Sequence, residues 1–300
     1  MSGYLFVHFI GEEKDGEQIY FSVSKDGLHW NDLNHGTPVL RSEIGCKGVR
    51  DPFPVRDPGS GKVYLIATDL RIEAGHGWDA AQYQGSRDLI VWESDDLVHW
   101  SEACACTVGI EGAGCVWAPE AIYDREKEAF FVFWASMVKA EGEQESKQRI
   151  YASWTNDFQE YTPPFLYMER NEHVIDTTIV EDNGWYYRIS KDESNKCLIL
   201  EKSRSLTGDF RTIPSQTLET LMGVEGPEAY RLPDQTWCLI ADQFAAGKGY
   251  LPMTTPDFAT GQLQILPPEA YDLGKTKKRH GGVLPLLPGE YDRLAETYGN

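Results

Sequence analysis

LIVWESDDLVHW, residues 89–100, decides how this chain folds, because the same arrangement recurs four more times along 300 residues. A short strand rich in Tyr, Phe, Ile or Val runs into Ser or Thr, then a polar turn carrying Asp, then an aromatic or apolar anchor. The other copies are IYFSVSKDGLHW (19–30), RIYASWTNDFQEY (149–161), LILEKSRSLTGDF (198–210) and GYLPMTTPDFATGQL (249–263). Their anchors, Trp30, Trp100, Tyr161, Phe210 and Leu263, lie 70, 61, 49 and 53 residues apart, a spacing that suits units of four short strands with variable insertions. VYLIATDL, AFFVFWAS, GWYYRISK and TWCLIADQ each supply a further strand one step before a copy, bounded by turns such as DREKE and EDNG.

The two ends complete each other. YLFVHFI near the start lacks an opening strand, and HGGVLPLLP near the end is an apolar strand without a unit of its own. The expectation is an all-β, five-bladed β-propeller over residues 1–300 as one domain, its ring closed by pairing the N- and C-terminal segments in one blade, which removes exposed sheet edges. A β-sandwich is the bland alternative for so many strands. The one helix expected is a short C-terminal one at GEYDRLAETYGN.

Composition narrows the partners. Hydrophobic residues make up 41% and aromatics 12%, a composition that folds. The formal charge of −19 repels phosphate backbones and anionic membranes, so neither nucleic acid nor a membrane is expected, and a small neutral oligosaccharide fits better. MSGYLFVHFIGEEKDGEQ carries no basic start or long apolar run, which leads to a cytoplasmic expectation. The six cysteines are scattered without CxxC or His-rich companions and read as free, mostly buried thiols.

Propeller axes are lined by the opening strand of each blade, so these strands are where chemistry is expected. They carry GVRDPFPV with Asp51, CVWAPEAIY with Glu120, HVIDTTIV with Asp176, GVEGPEAYRL with Glu225 and Glu228, and the closing KKRHGGVLPL with Arg279 and His280. Acids on apolar inner strands are costly unless solvated, paired or used. Cleaving a glycosidic bond takes one ionised carboxylate to activate water and one protonated carboxyl for the departing oxygen. A third, ionised carboxylate near the acid raises its pKa by like-charge repulsion.

These residues resemble glycoside hydrolase family 43, the five-bladed propellers of arabinofuranosidases, xylosidases and arabinanases, over nearly the whole chain. The resemblance implies Asp51, in Asp51-Pro52-Phe53, as general base; Asp176, in Ile175-Asp176, as the carboxylate that tunes the acid; and Glu225, in Glu225-Gly226-Pro227, as general acid. Trp117-Ala118-Pro119-Glu120 matches a further element, and His280-Gly281 matches the family's axial His-Gly. Thr177 stands where the family usually has Pro.

Each residue also has a plain reading. Asp51 could be a turn acid before Pro, Glu225 a turn cap, and Asp176 a satisfied structural carboxylate. Phe53, Trp78, Trp117, Glu120 and His280 are the substrate-binding candidates, the two Trp as platforms for a sugar face, with Glu120 positioning neighbours or sugar without transferring protons. No cofactor is required; the resemblance allows a hydrated Ca²⁺ or Na⁺ in the axial channel near His280, without a full protein-built metal site. The activity expected is an inverting, exo-acting hydrolase of terminal pentose, α-L-arabinofuranose preferred, on oligosaccharides from arabinoxylan or arabinan. A β-D-xylosidase or bifunctional enzyme is the near rival, and a non-catalytic carbohydrate-binding propeller the distant one.

Overall fold

The computed structural model describes residues 2–299. Among them, twenty strands, numbered in chain order, form five four-stranded antiparallel sheets arranged as blades around one axis. β1 (Tyr4–His8), β2 (Tyr20–Ser24) and β3 (Trp30–Asp32) belong to the first blade, and β4 (Val49–Arg56), β5 (Val63–Asp69), β6 (Asp88–Ser94) and β7 (Cys104–Thr107) form the second. The third holds β8 (Trp117–Asp124), β9 (Ala129–Val138), β10 (Lys147–Thr155) and β11 (Phe165–Met168); the fourth β12 (Val174–Asp182), β13 (Trp185–Asp192), β14 (Cys197–Ser203) and β15 (Arg211–Thr212). β16 (Glu225–Arg231), β17 (Trp237–Asp242), β18 (Tyr250–Thr255) and β19 (Gln264–Ile265) make the fifth. β20 (Gly281–Pro285) returns to the first blade and pairs with β1, Phe6 opposite Val283, so the ring closes as expected. The innermost strands touch in sequence: β20 on β4, β4 on β8, β8 on β12, β12 on β16, and β16 on β20.

A blade is covered on both faces, which is why a middle strand can be buried along its whole length instead of on alternate residues. All ten residues of β9 are buried. Phe130, Val132 and Trp134 point into the cluster shared with the second blade, whereas Phe131, Phe133 and Ala135 point into the one shared with the fourth. Period-2 geometry splits one apolar run between two cores.

The repeated turn has a common hydrogen-bond pattern. Ser24, Ser94 and Thr155 hydroxyls accept from the amides of Gly27, Leu97 and Phe158 at 2.8, 2.8 and 2.9 Å. Asp26, Asp96 and Asp157 carboxylates accept from Leu28, Val98 and Gln159, each at 2.9 Å. The repeat thus encodes a side-chain-capped turn between the third and outermost strands. The C-terminal helix Glu290–Tyr298 is present, with Leu294 in the core between the first two blades and Glu290 held by Arg56 at 2.8 Å. Trp78 lies on a further short helix, Gly77–Tyr83, beyond the one helix expected. Among the described residues no helix is long and apolar enough to cross a membrane.

Candidate active site

Four inner strands share one irregularity, and it builds the site. β4, β8, β12 and β16 each slip register against their neighbour near their start, between Arg50 and Phe53, Trp117 and Glu120, Ile175 and Thr177, and Glu225 and Glu228. Each bulge contains one residue with left-handed backbone: Asp51 (φ 50°), Ala118 (φ 47°), Asp176 (φ 47°) and Gly226 (φ 53°). Asp tolerates this conformation better than most side chains, and such strain gathers where a bulge re-aims side chains. The slots that follow hold Pro52, Pro119 and Pro227, which lack an amide and are skipped by the ladder, and Thr177, which pairs with Ser190. Thr177 shares a 2.9 Å hydrogen bond with Ser190.

The bulges turn Arg50, Asp51, Trp117, Ile175, Asp176 and Glu225 toward one cavity of about 470 Å³ at the end of the axis, which Trp78, Lys191, Phe244, Arg279 and His280 also line. Gly226 is demanded at its place: a Cβ there would meet the His280 ring at 2.6 Å.

Charge is arranged in three tiers. Asp51 is buried, which would raise its carboxyl, but His280 at 3.4 Å, Arg50 and the Thr68 hydroxyl at 2.8 Å outweigh burial and hold it below the usual carboxylate range. Thr68 also accepts from the Ala118 amide at 2.9 Å, tying the second blade to the third at the site. Asp176 Oδ2 accepts from the Gly226 amide at 3.1 Å and lies 3.8 Å from the same His280 nitrogen. Burial, with Glu225 and Asp51 adding repulsion against the pull of His280 and Lys191, pushes Asp176 up to about 6. Burial lowers the His280 imidazole, yet Asp176, Asp51 and Glu225 more than reverse that and bring it up to about 9. An imidazolium therefore sits between two carboxylates.

Glu225 departs from expectation. Burial raises it, but Lys191 at 2.8 Å on one oxygen and Arg279 at 2.8 Å on the other, with His280 behind, hold it below its ordinary range. The like-charge elevation expected at Glu225 falls on Asp176 instead. The reason is Lys191, whose place beside the acids was not read from sequence: it sits in strand register opposite Ile175, the residue before Asp176. A lysine inside the otherwise closed strand GWYYRISK was the available signal. Phe244, with the Lys191 ammonium 4.3 Å over its ring, was also missed.

Trp78 and Trp117 meet edge-to-face at 6.0 Å and form an aromatic corner of the cavity, Trp78 being 46% exposed. Phe53 and Glu120 do not line it. Both stand three residues past the position that faces the cavity, and alternation carries them down the axis, with Thr178 and Glu228 in the matching slots of β12 and β16. Glu120 is buried there, and burial followed by Glu228 drives its carboxyl well above the ordinary range; Glu228 itself, buried and accepting from the Val283 amide at 2.9 Å, is raised to about 8. A Cβ on Gly282 would meet the Phe53 ring at 2.9 Å, which places Phe53 under the closing strand. Among the described residues no group of three or more His, Cys, Asp or Glu is placed to hold a metal ion, and His280 Nδ1 stands 3.4 Å from Asp51 and 3.8 Å from Asp176.

Solved structures share this architecture. An endo-1,4-β-xylanase from Bacteroides thetaiotaomicron superposes with TM-score 0.61 at 14% identity, over 88% of this chain and 90% of that one. An α-L-arabinofuranosidase from Podospora anserina, in complex with cellotriose, gives 0.54 at 14% identity, over 77% and 71%. At these identities the likeness concerns the fold. In sequence, an α-L-arabinofuranosidase of Bifidobacterium longum subsp. longum is 30% identical over 291 residues, covering 81% of this chain, and the chain spans 27% of that relative's length. A family described as a probable glycosyl hydrolase domain, related to glycoside hydrolase family 43, matches residues 1–292, and with its inner-strand acids gathered at one end of a five-bladed propeller the chain belongs to that family.

Proposed function

We propose that this chain is an inverting, exo-acting glycoside hydrolase that releases terminal α-L-arabinofuranose from short neutral oligosaccharides. The observation that carries the reading is the convergence of Asp51, Asp176 and Glu225 on one cavity with an aromatic corner. Asp51, kept ionised, takes a proton from the attacking water. Glu225 protonates the leaving oxygen, and Asp176 is the neighbouring carboxyl on which the pair's proton rests below about pH 6, because Lys191 and Arg279 hold Glu225 charged. Hydrolysis of aryl α-L-arabinofuranoside, followed by NMR, is expected to show the β-anomer of arabinose first. An α first product would end the inverting reading, and faster release from aryl β-D-xyloside would replace the sugar.

The same arrangement predicts a pH dependence. Loss of the shared proton should set the alkaline limb of kcat/KM near pH 6, where Asp176 titrates. Lys191 lowers both Asp176 and Glu225, so Lys191→Met removes a positive charge beside each and should move that limb upward, by about one unit. A limb that stays put or moves down would show that neither carboxyl carries the catalytic proton.

A further inference from the structure

Glu225 stands at the centre of a row of alternating charges. Lys191 Nζ lies 2.8 Å from its Oε2 and 2.6 Å from Glu193 Oε2, while Arg279 lies 2.8 Å from its Oε1 and 2.5 Å from Asp242 Oδ2. The row therefore runs Glu193, Lys191, Glu225, Arg279, Asp242, and its two ends differ. Asp242 is sealed inside β17, whereas Glu193, on the turn after β13, lines the catalytic cavity with its side chain 29% exposed.

Lys191 is shared between two carboxylates. Its ammonium donates a hydrogen bond to Glu225, and the Glu193 Oε2 beside it is buried and makes no hydrogen bond among the described residues. A buried carboxylate oxygen without a donor is costly, so Oε2 pulls on the ammonium next to it. Lys191 is itself buried, with Phe244 under its ammonium, and cannot turn to water instead. The turn is held in place as well. Asp192 Oδ1 accepts from the Ser194 and Asn195 amides, each at 2.9 Å, and the Glu193 amide donates to the His173 carbonyl at 2.9 Å. Lys196 of the same turn meets the other Glu193 oxygen, and His173 lines a neighbouring cavity with Glu193.

We infer that Glu193 is a positioning residue for the general acid: it draws the Lys191 ammonium partly off Glu225, so that Glu225 can regain its proton in each turnover. The inference rests on the proposed function, which makes Glu225 the proton donor. An inverting cycle leaves that carboxyl ionised and the base protonated, so the acid must be recharged before the next substrate. Two unopposed cations would resist this, and Glu193 and Asp242 each offset one of them. The remaining charges around Glu225 and Asp176 are Arg50 and Asp51 on β4, Glu12 across the cavity, Glu120 and Glu228 down the axis, and His280. All of these stay in place in the variants below.

The pH profile of kcat/KM would be measured on phenyl α-L-arabinofuranoside, whose weakly acidic phenol still needs a proton to depart. The proteins are the wild type, Glu193→Gln, Lys191→Met and the double variant. Glu193→Gln removes a negative charge and leaves the whole ammonium to Glu225 and Asp176, both of which it lowers, so the alkaline limb is expected to fall by about half a unit. With Lys191→Met already present, the same change should move the limb by less than about 0.2 unit, because the two residues act as one pair. An effect passing through Lys196 or His173 would persist without Lys191. A limb unmoved or raised in Glu193→Gln, or moved equally in both backgrounds, overturns the inference; a lower kcat with an unmoved limb marks a merely structural turn. If the wild type does not turn over, the proposed function has failed, and ¹³C NMR titration of labelled Asp and Glu carboxyls decides the positioning alone. An Asp176 midpoint that falls from about 6 in Glu193→Gln only while Lys191 is present sustains it, and any other result ends it.

Discussion

Asp51→Asn should lower kcat on aryl α-L-arabinofuranoside by about 10³-fold, within the range seen when a positioned general base is removed, while thermal unfolding shifts by only a few degrees. Asn is the informative replacement because it too accepts the left-handed backbone that Asp51 adopts, φ 50°. An Ala would add strain of about 1–2 kcal/mol and confuse stability with chemistry. The amide still accepts from Thr68, whose 2.8 Å hydrogen bond orients the side chain, so the geometry persists and the charge does not. His280 loses one of its two carboxylate neighbours, and its pKa should fall from about 9. Unimpaired turnover in this variant would remove Asp51 from the mechanism and with it the choice of water-activating face.

Glu225→Gln is expected to separate substrates by leaving group. A glycoside that departs as an alcohol or sugar needs its oxygen protonated, and here kcat should fall by about 10³-fold. An aryl glycoside with an acidic phenol departs largely unaided, so its loss should be about tenfold or less. Lys191 and Arg279 would each lose an anionic partner, though Lys191 keeps Glu193 at 2.6 Å and Arg279 keeps Asp242 at 2.5 Å, and the fold should survive. Because Asp176 holds the higher pKa in the free site, Asp176→Asn must be measured alongside. Were the leaving-group signature to appear in Asp176→Asn and not in Glu225→Gln, the two carboxyls would exchange roles.

Much of the site was legible because it repeats. An acid beside Pro or Gly at the start of a blade marks Asp51 and Glu225, and the resemblance to glycoside hydrolase family 43 added Asp176, followed by Thr177 in the usual Pro slot, and His280 at the closing strand. Phe53 and Glu120 could not be placed correctly. Three residues separate them from the cavity-facing position, and whether that distance means the same direction or the opposite one depends on the bulge, a register slip that leaves no residue of its own in the string. Lys191 was hidden for a related reason, since it reaches the site from the second strand of its blade through pairing with Ile175.

Apolar strands, five copies of one strand-and-turn repeat and two complementary ends were enough for the sequence alone to determine the propeller, its blade number and its closure, because each of these is written in neighbouring residues. The protonation order of the acids was decided only by the tertiary structure. It depends on which cations stand within 3 Å of which carboxylate, and Lys191 and Arg279 are brought to Glu225 from 34 and 54 residues away. Coulombic terms act through space, so a chain read along its length reports the charges but not their distances.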